Sequence, residues 1–171
     1  MLEILKKRRS VRSYTDKKIE EKKIEILKKA ALLSPTGKNK QEWDFIFVDD
    51  KELLNKLSNV KPAGGKMLEH ATLGIVVTAN EEKSDLWIED ASVAATTIHY
   101  TAHDLGLGSC WIQIRDRMFD YDKMIKSESL VREILSLQDK QRVLCIISIG
   151  YPNETKTENN LDYSKIHLNK Y

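Results

Sequence analysis

Apolar residues in this chain recur with two periods. Over residues 86–105, Ile88, Ala91, Ala95, Ile98, Ala102 and Leu105 alternate steps of three and four, which puts them on one stripe of a long helix. Ala91, Ala94, Ala95 and Ala102 along it would let another backbone approach closely. A second helix is predicted over residues 20–33, with Ile24, Leu27 and Ala31 on one face; Ser34-Pro35-Thr36-Gly37 stops it. Shorter helices are predicted over residues 2–7, 51–57 and 128–137. Short apolar runs at 44–48, 73–78, 109–114 and 142–149 read as buried strands, and Gly150-Tyr151-Pro152 ends the last of them. The tail to Tyr171 has no periodicity, yet Ile166, Leu168 and Tyr171 suggest an extended arm laid on something. This order predicts an α+β fold: a mixed, mostly antiparallel sheet with helices packed around it. One domain is expected over residues 1–171, because no repeat or low-complexity linker interrupts the chain.

Charge refines the picture. Net charge is only +2, but the first forty residues carry 13 Lys/Arg against 5 Asp/Glu, and the remainder is correspondingly acidic. Lys17, Lys18, Lys22, Lys23, Lys28 and Lys29 fit the wet face of a helix. The cluster Lys6-Lys7-Arg8-Arg9-Ser10-Val11-Arg12 instead calls for an anion. Nucleic acid would be attracted to it, but no aromatic platform or nucleic-acid motif accompanies it. A membrane surface would require an amphipathic face that so short a segment hardly provides. A phosphate monoester on a small cofactor fits best, since two guanidinium forks beside a serine hydroxyl form a compact dianion site. No run of about 18 apolar residues occurs, and the N-terminal charges follow the apolar residues, the reverse of a secretory signal. A cytoplasmic protein is expected, with Cys110 and Cys145 as buried free thiols.

Familiar catalytic constellations are missing. There is no P-loop and no G-x-S-x-G. Gly106-Leu107-Gly108 fails as a dinucleotide loop because Trp111 replaces the third glycine and the segment runs from helix to strand. His99 and His103 share a helix face, but no third ligand is apparent, so no metal site is assigned.

The run Arg8-Arg9-Ser10-Val11-Arg12-Ser13-Tyr14 resembles the R-[RH]-S-x-R-x-[FY] opening of the FMN-dependent nitroreductase family. Further segments agree in order. Ser34-Pro35-Thr36-Gly37-Lys38-Asn39-Lys40-Gln41-Glu42-Trp43-Asp44-Phe45 resembles the family's S-P-[ST]-x-x-N-x-Q-P-W-x-F loop and strand. Glu89-Asp90-Ala91-Ser92-Val93-Ala94-Ala95 is similar to the start of its central helix, and Gly106-Leu107-Gly108-Ser109-Cys110-Trp111-Ile112 to its G-L-G-[ST]-x-W-[IL] turn. Gly150-Tyr151-Pro152-Asn153-Glu154 and the end of the chain resemble its last strand and C-terminal arm.

The resemblance implies a nitroreductase-like fold that dimerises through the long central helix, with FMN at the subunit interface and NADH or NADPH as electron donor. It implies that Arg8 and Ser10, with Arg9, hold the FMN phosphate, and that Arg12 reaches toward the pyrimidine edge of the flavin, where a cation would favour the reduced ring. Pro35, Thr36, Gly37, Asn39 and Gln41 match the loop that the second subunit contributes. Gly106, Leu107, Gly108 and Ser109 match the turn whose backbone N–H groups approach the flavin edge. Taken alone, Thr36-Gly37 reads as a turn and Gly106-Leu107-Gly108 as a helix cap. Lys66 matches a lysine that reaches the flavin. Two departures stand out: Glu42 replaces a frequent proline, and the tail lacks a phosphate-binding arginine, for which Lys156 is the substitute. The expected activity is ping-pong transfer of hydride from NAD(P)H through the flavin to an electron-poor small molecule such as a nitroaromatic or quinone. The alternative is a flavin-binding store or sensor. Neither nucleic acid nor membrane is an expected partner.

Overall fold

The β-branched and aliphatic runs pair into one four-stranded antiparallel sheet, in the order β1 (Trp43–Val48), β2 (Leu73–Asn80), β6 (Gln141–Gly150) and β3 (Gly108–Gln113). The computed structural model describes residues 1–158 and 160–171. Around the sheet stand α1 (Leu2–Lys7), α2 (Glu21–Leu32), α3 (Lys51–Ser58), α4 (Trp87–Asp104) and α5 (Ser127–Leu135). The chain thus has the expected α+β architecture, and its main sheet is antiparallel throughout.

Strand alternation builds two cores. In β2, Leu73, Ile75, Val77 and Ala79 point to the α2/α4 face, as do Cys145, Ile147 and Ile149 of β6. Val76, Ile146, Cys110 and Ile112 point the other way, onto α3, α5 and the 3₁₀ turn Lys66–His70. A bulge lets two neighbours in β6, Leu144 and Cys145, both join the α4 core, since the register shifts between Val77 and Thr78. Ala91, Ala94, Ala95 and Ala102 are fully buried, so α4 lies close against the sheet, while Val93 on its outer face is exposed. Its 18 residues give a rod of about 27 Å.

Three features differ from the pattern-based expectation. Helix α5 stops at Leu135 because Ser136 turns left-handed, at φ 51° and ψ 47°. A small hairpin, β4 (Met118–Asp120) with β5 (Ile125–Lys126), occupies a stretch too short to show alternation. The tail forms one 3₁₀ turn, Tyr163–Lys165, and leaves Leu161, Ile166, Leu168 and Tyr171 exposed on this chain. Among the described residues, no helix is long and apolar enough to cross a membrane.

Candidate functional site

The basic N-terminal segment is pinned to the sheet by its backbone. Val11 N–H donates to the Ser109 carbonyl at 3.0 Å, Thr15 N–H to Tyr151 at 2.9 Å, and Asn153 N–H to Ser13 at 2.9 Å. Residues 10–15 therefore run between the start of β3 and the chain leaving β6. That approach requires glycine at 108, where a Cβ would lie 2.7 Å from Val11 Cγ1. The Tyr14 hydroxyl locks the segment from below, donating to the Val11 carbonyl at 2.6 Å and sitting 2.8 Å from the Ser148 hydroxyl.

This pinning assembles a cleft of about 300 Å³ from both ends of the chain. Lys7, Arg8 and Arg9 face Gly106, Leu107, Gly108 and Ser109, and residues 152 and 154–156 close the third side. Four cationic side chains, those of Lys7, Arg8, Arg9 and Lys156, meet a single carboxylate, Glu154. Glu154 is already engaged: it accepts from the Arg12 N–H at 2.6 Å and from the Lys156 ammonium at 2.5 Å. The Arg12 N–H, then Lys156, hold its carboxyl below the usual range. The cleft keeps a net positive lining, which suits a phosphate dianion. Gly106 borders it with φ 73° and nothing within 4 Å of where a Cβ would stand, leaving room for a flat group to lie against the backbone.

Beneath the cleft, His99 Nδ1 lies 2.7 Å from the Ser109 hydroxyl, and its ring stacks on Trp111. Burial, with the charge of Arg8, pushes the imidazole down to about 4. The histidine is neutral at physiological pH and supports the strand that carries Ser109. Sequence alone shows it only as half of an i, i+4 pair with His103, since its contact with Ser109 depends on the fold. Among the described residues, no cluster of three His, Cys, Asp or Glu could hold a metal ion.

The remaining sequence candidates divide. Ser10 bridges to Ser109 through the backbone, beside the cleft. Arg12 is exposed and does not line it. The amides of Gly106 and Leu107 donate to the His103 and Ala102 carbonyls at 2.9 and 2.8 Å, so these two N–H groups cap α4 and are not offered to a ligand. Lys66 is outside the cleft, its ammonium on Asn59 and Glu69 at 2.6 and 2.8 Å. Pro35, Thr36, Gly37, Asn39 and Gln41 stand at the opposite end of α4. Gly37 N–H donates to Asp90 in the first turn of that helix at 2.9 Å, and Gln41 N–H to the Thr36 hydroxyl at 3.1 Å. The 13 residue steps from Asp90 to His103, which lines the cleft, correspond to about 20 Å along the helix. Lys7 joins the cleft as part of the basic cluster, whereas no local pattern assigns His103 and Glu154 to it, because the cleft joins segments more than a hundred residues apart. A second cavity, of about 330 Å³, mixes Asp16, Asp49 and Glu69 with Lys18 and Lys51 and so selects no single charge.

Comparison with known proteins agrees with this architecture. The sequence profile of the nitroreductase family matches residues 5–61 and 56–151. A solved FMN-dependent nitroreductase from Clostridium difficile R20291 has a TM-score of 0.96 and 50% identity, with each chain covered in full. A solved protein of Clostridium acetobutylicum, provisionally called an NADH oxidase, has a TM-score of 0.87 and 34% identity over 98% of this chain and 99% of its own. A curated protein of Archaeoglobus fulgidus, provisionally named an NADH dehydrogenase/NAD(P)H nitroreductase, is 34% identical over 99% of this chain and 98% of its own length.

Proposed function

Because the chain belongs to the nitroreductase family, we propose that it works as an NAD(P)H-dependent oxidoreductase that holds FMN by its phosphate in the Arg8 cleft. The observation that carries this reading is the convergence of Arg8, Arg9 and Lys156 on one cleft beside the open face of Gly106. When bound, FMN supplies two-electron chemistry, taking hydride from NADH or NADPH and passing it to an electron-poor acceptor such as a nitroaromatic or quinone. The protein's part is to bind and orient. Arg8 and Arg9 present planar forks to the phosphate oxygens, and Lys156 adds a point charge in place of a third fork. Glu154 ties Lys156 and the Arg12 backbone together, fixing the arm that closes the cleft. Ser10 and Ser109 hold the Arg8 segment against β3, and Arg12, exposed just outside the cleft, would be the cation that tunes the potential of a bound flavin. No side chain is required as general acid.

Two observations favour a homodimer with shared sites. The loop carrying Thr36, Gly37 and Asn39 is about 20 Å along α4 from the cleft, too far for both to serve the same end of one flavin within a chain. The tail exposes Ile166, Leu168 and Tyr171, an apolar edge that a partner subunit would cover. Anaerobic stopped-flow mixing of the FMN-loaded protein with NADH and with NADPH tests the function. Rapid bleaching of the flavin by either nucleotide, reversed by a nitroaromatic or quinone, is expected. A flavin that neither nucleotide reduces would make the protein a store or sensor.

A further inference from the structure

Glu42 is 1% exposed and Asp90 7%, yet both Glu42 carboxyl oxygens and Asp90 Oδ2 lack a hydrogen-bond partner. Buried acceptors without donors call for an explanation. The two carboxyls are close enough to act on each other directly, and three of their four oxygens are without a donor. Two adjacent buried carboxylates would repel, and burying a second ion without a counter-charge is costly. A proton between them removes both difficulties.

The surroundings decide which residue carries it. Asp90 lies in the first turn of α4, where the helix dipole favours an anion, and its Oδ1 already accepts the Gly37 N–H at 2.9 Å. Glu42 lies outside any helix, and only its own backbone N–H and the Ser84 hydroxyl favour its ionised form, neither within hydrogen-bond geometry of its carboxyl oxygens. From the connection preceding α4, the buried Ser84 hydroxyl faces it; from β2, Asn80 meets only its backbone carbonyl. Lys40, two residues earlier, spends its ammonium on the Lys83 carbonyl at 2.8 Å. No Lys or Arg appears among the principal groups acting on Glu42, and burial, then Asp90, push its carboxyl above the usual range.

We propose that Glu42 and Asp90 share one proton, carried by Glu42, and that the pair is a clamp positioning the loop formed by residues 36–41. The loop needs a clamp. Lys38, Asn39 and Gln41 all adopt left-handed backbone, with φ of 54°, 54° and 47°, a conformation that non-glycine residues populate sparsely. The Gly37 link to Asp90 ties this strained turn to α4. Loss of the shared proton would set two carboxylates against each other beneath that link and loosen the turn. The consequence for cofactor binding rests on the function proposed above, in which this loop completes the partner's flavin site. FMN affinity would then fall as pH rises, by at most about tenfold per pH unit above the pair's midpoint, the limit for one linked proton.

The test compares FMN-reconstituted wild type with Glu42→Gln, an isostere that keeps a donor for Asp90 but cannot ionise, and with Asp90→Asn. Infrared spectra at neutral pH should contain a buried carboxylic-acid C=O band in wild type that Glu42→Gln lacks. Amide exchange in residues 36–41, taken as the ratio of wild type to Glu42→Gln at each pH, should rise with pH. Asp90→Asn, which loses the ionised partner, should flatten the pH dependence of exchange. Absence of the band, its persistence in Glu42→Gln, or an exchange ratio independent of pH would overturn the clamp. Failure of all three proteins to bind FMN would overturn the flavin assignment, while the infrared and exchange results on the same proteins would still decide the clamp.

Discussion

His99 links the cleft to the stability of the fold, and acid should expose the link. The residue is 8% exposed, its ring stacked on Trp111 and its Nδ1 hydrogen-bonded with the Ser109 hydroxyl. Burial, then the charge of Arg8, lower its pKa from 6.5 to about 4, so between these values the unfolded chain binds a proton that the folded protein refuses. Stability from this group is therefore full above pH 6.5 and drains away as pH falls toward 4. Integrated from pH 8 to pH 5, the loss is about 2 kcal/mol, rising to about 3 kcal/mol below pH 4. Against a total stability of about 5–15 kcal/mol, that loss is easily measured. His99→Gln keeps a polar partner for Ser109 and does not titrate. Urea unfolding at pH 8 and pH 5, with protein and FMN concentrations fixed, should show wild type losing about 2 kcal/mol more than the variant. Equal losses would mean that the imidazole already carries a proton in the folded state or is solvated, and the account of a neutral buried support beside Arg8 would be wrong.

Gly108→Ala puts a Cβ within 2.7–3.0 Å of three atoms of the Val11 side chain. The expected cost is about 1–3 kcal/mol in urea unfolding, largely relieved in a Val11→Gly background, which removes all three clashing atoms; equal cost in both backgrounds would remove Val11 as the cause. Arg8→Ala removes a charge-assisted phosphate contact and should weaken FMN binding by about 1.5–3 kcal/mol, roughly tenfold or more, while leaving the unfolding free energy of the apo-protein nearly unchanged. Unchanged affinity in an FMN titration would move the phosphate site elsewhere.

The parts of this protein that one-dimensional pattern encodes are those built by local geometry. The unbroken three-four spacing from Ile88 to Leu105 marks α4, and the four apolar runs mark the strands, because a buried face must repeat with the period of its element. The basic cluster at Arg8 was visible for a related reason, since a dense local charge needs a counter-charge. What stayed hidden depends on long-range packing. Glu154 meets Arg12 across 142 positions, and nothing near either residue announces the other. Glu42 was noticeable only as a departure from a family proline; its significance appears once folding sets it against Asp90. His99 looked like half of a metal pair until burial placed Ser109 at its Nδ1. The glycines at 106 and 108 illustrate the middle ground, being legible as a turn although two of the N–H groups expected to face a ligand cap a helix.

Subunit complementation tests the central claim most directly, because the proposed flavin site takes its phosphate cleft from one chain and its loop from another. Arg8→Ala damages only the cleft and Gly37→Val only the loop, where even a Cβ would meet Leu86 at 2.7 Å. After the two purified variants are mixed and allowed to exchange subunits, half of the dimers should be mixed, and each mixed dimer should contain one intact site. Tight FMN binding should therefore return at about a quarter of all sites, measured by flavin fluorescence quenching. No recovery, from variants shown to exchange subunits by mass spectrometry, would mean that each chain builds its site alone and would contradict the shared cleft-and-loop site.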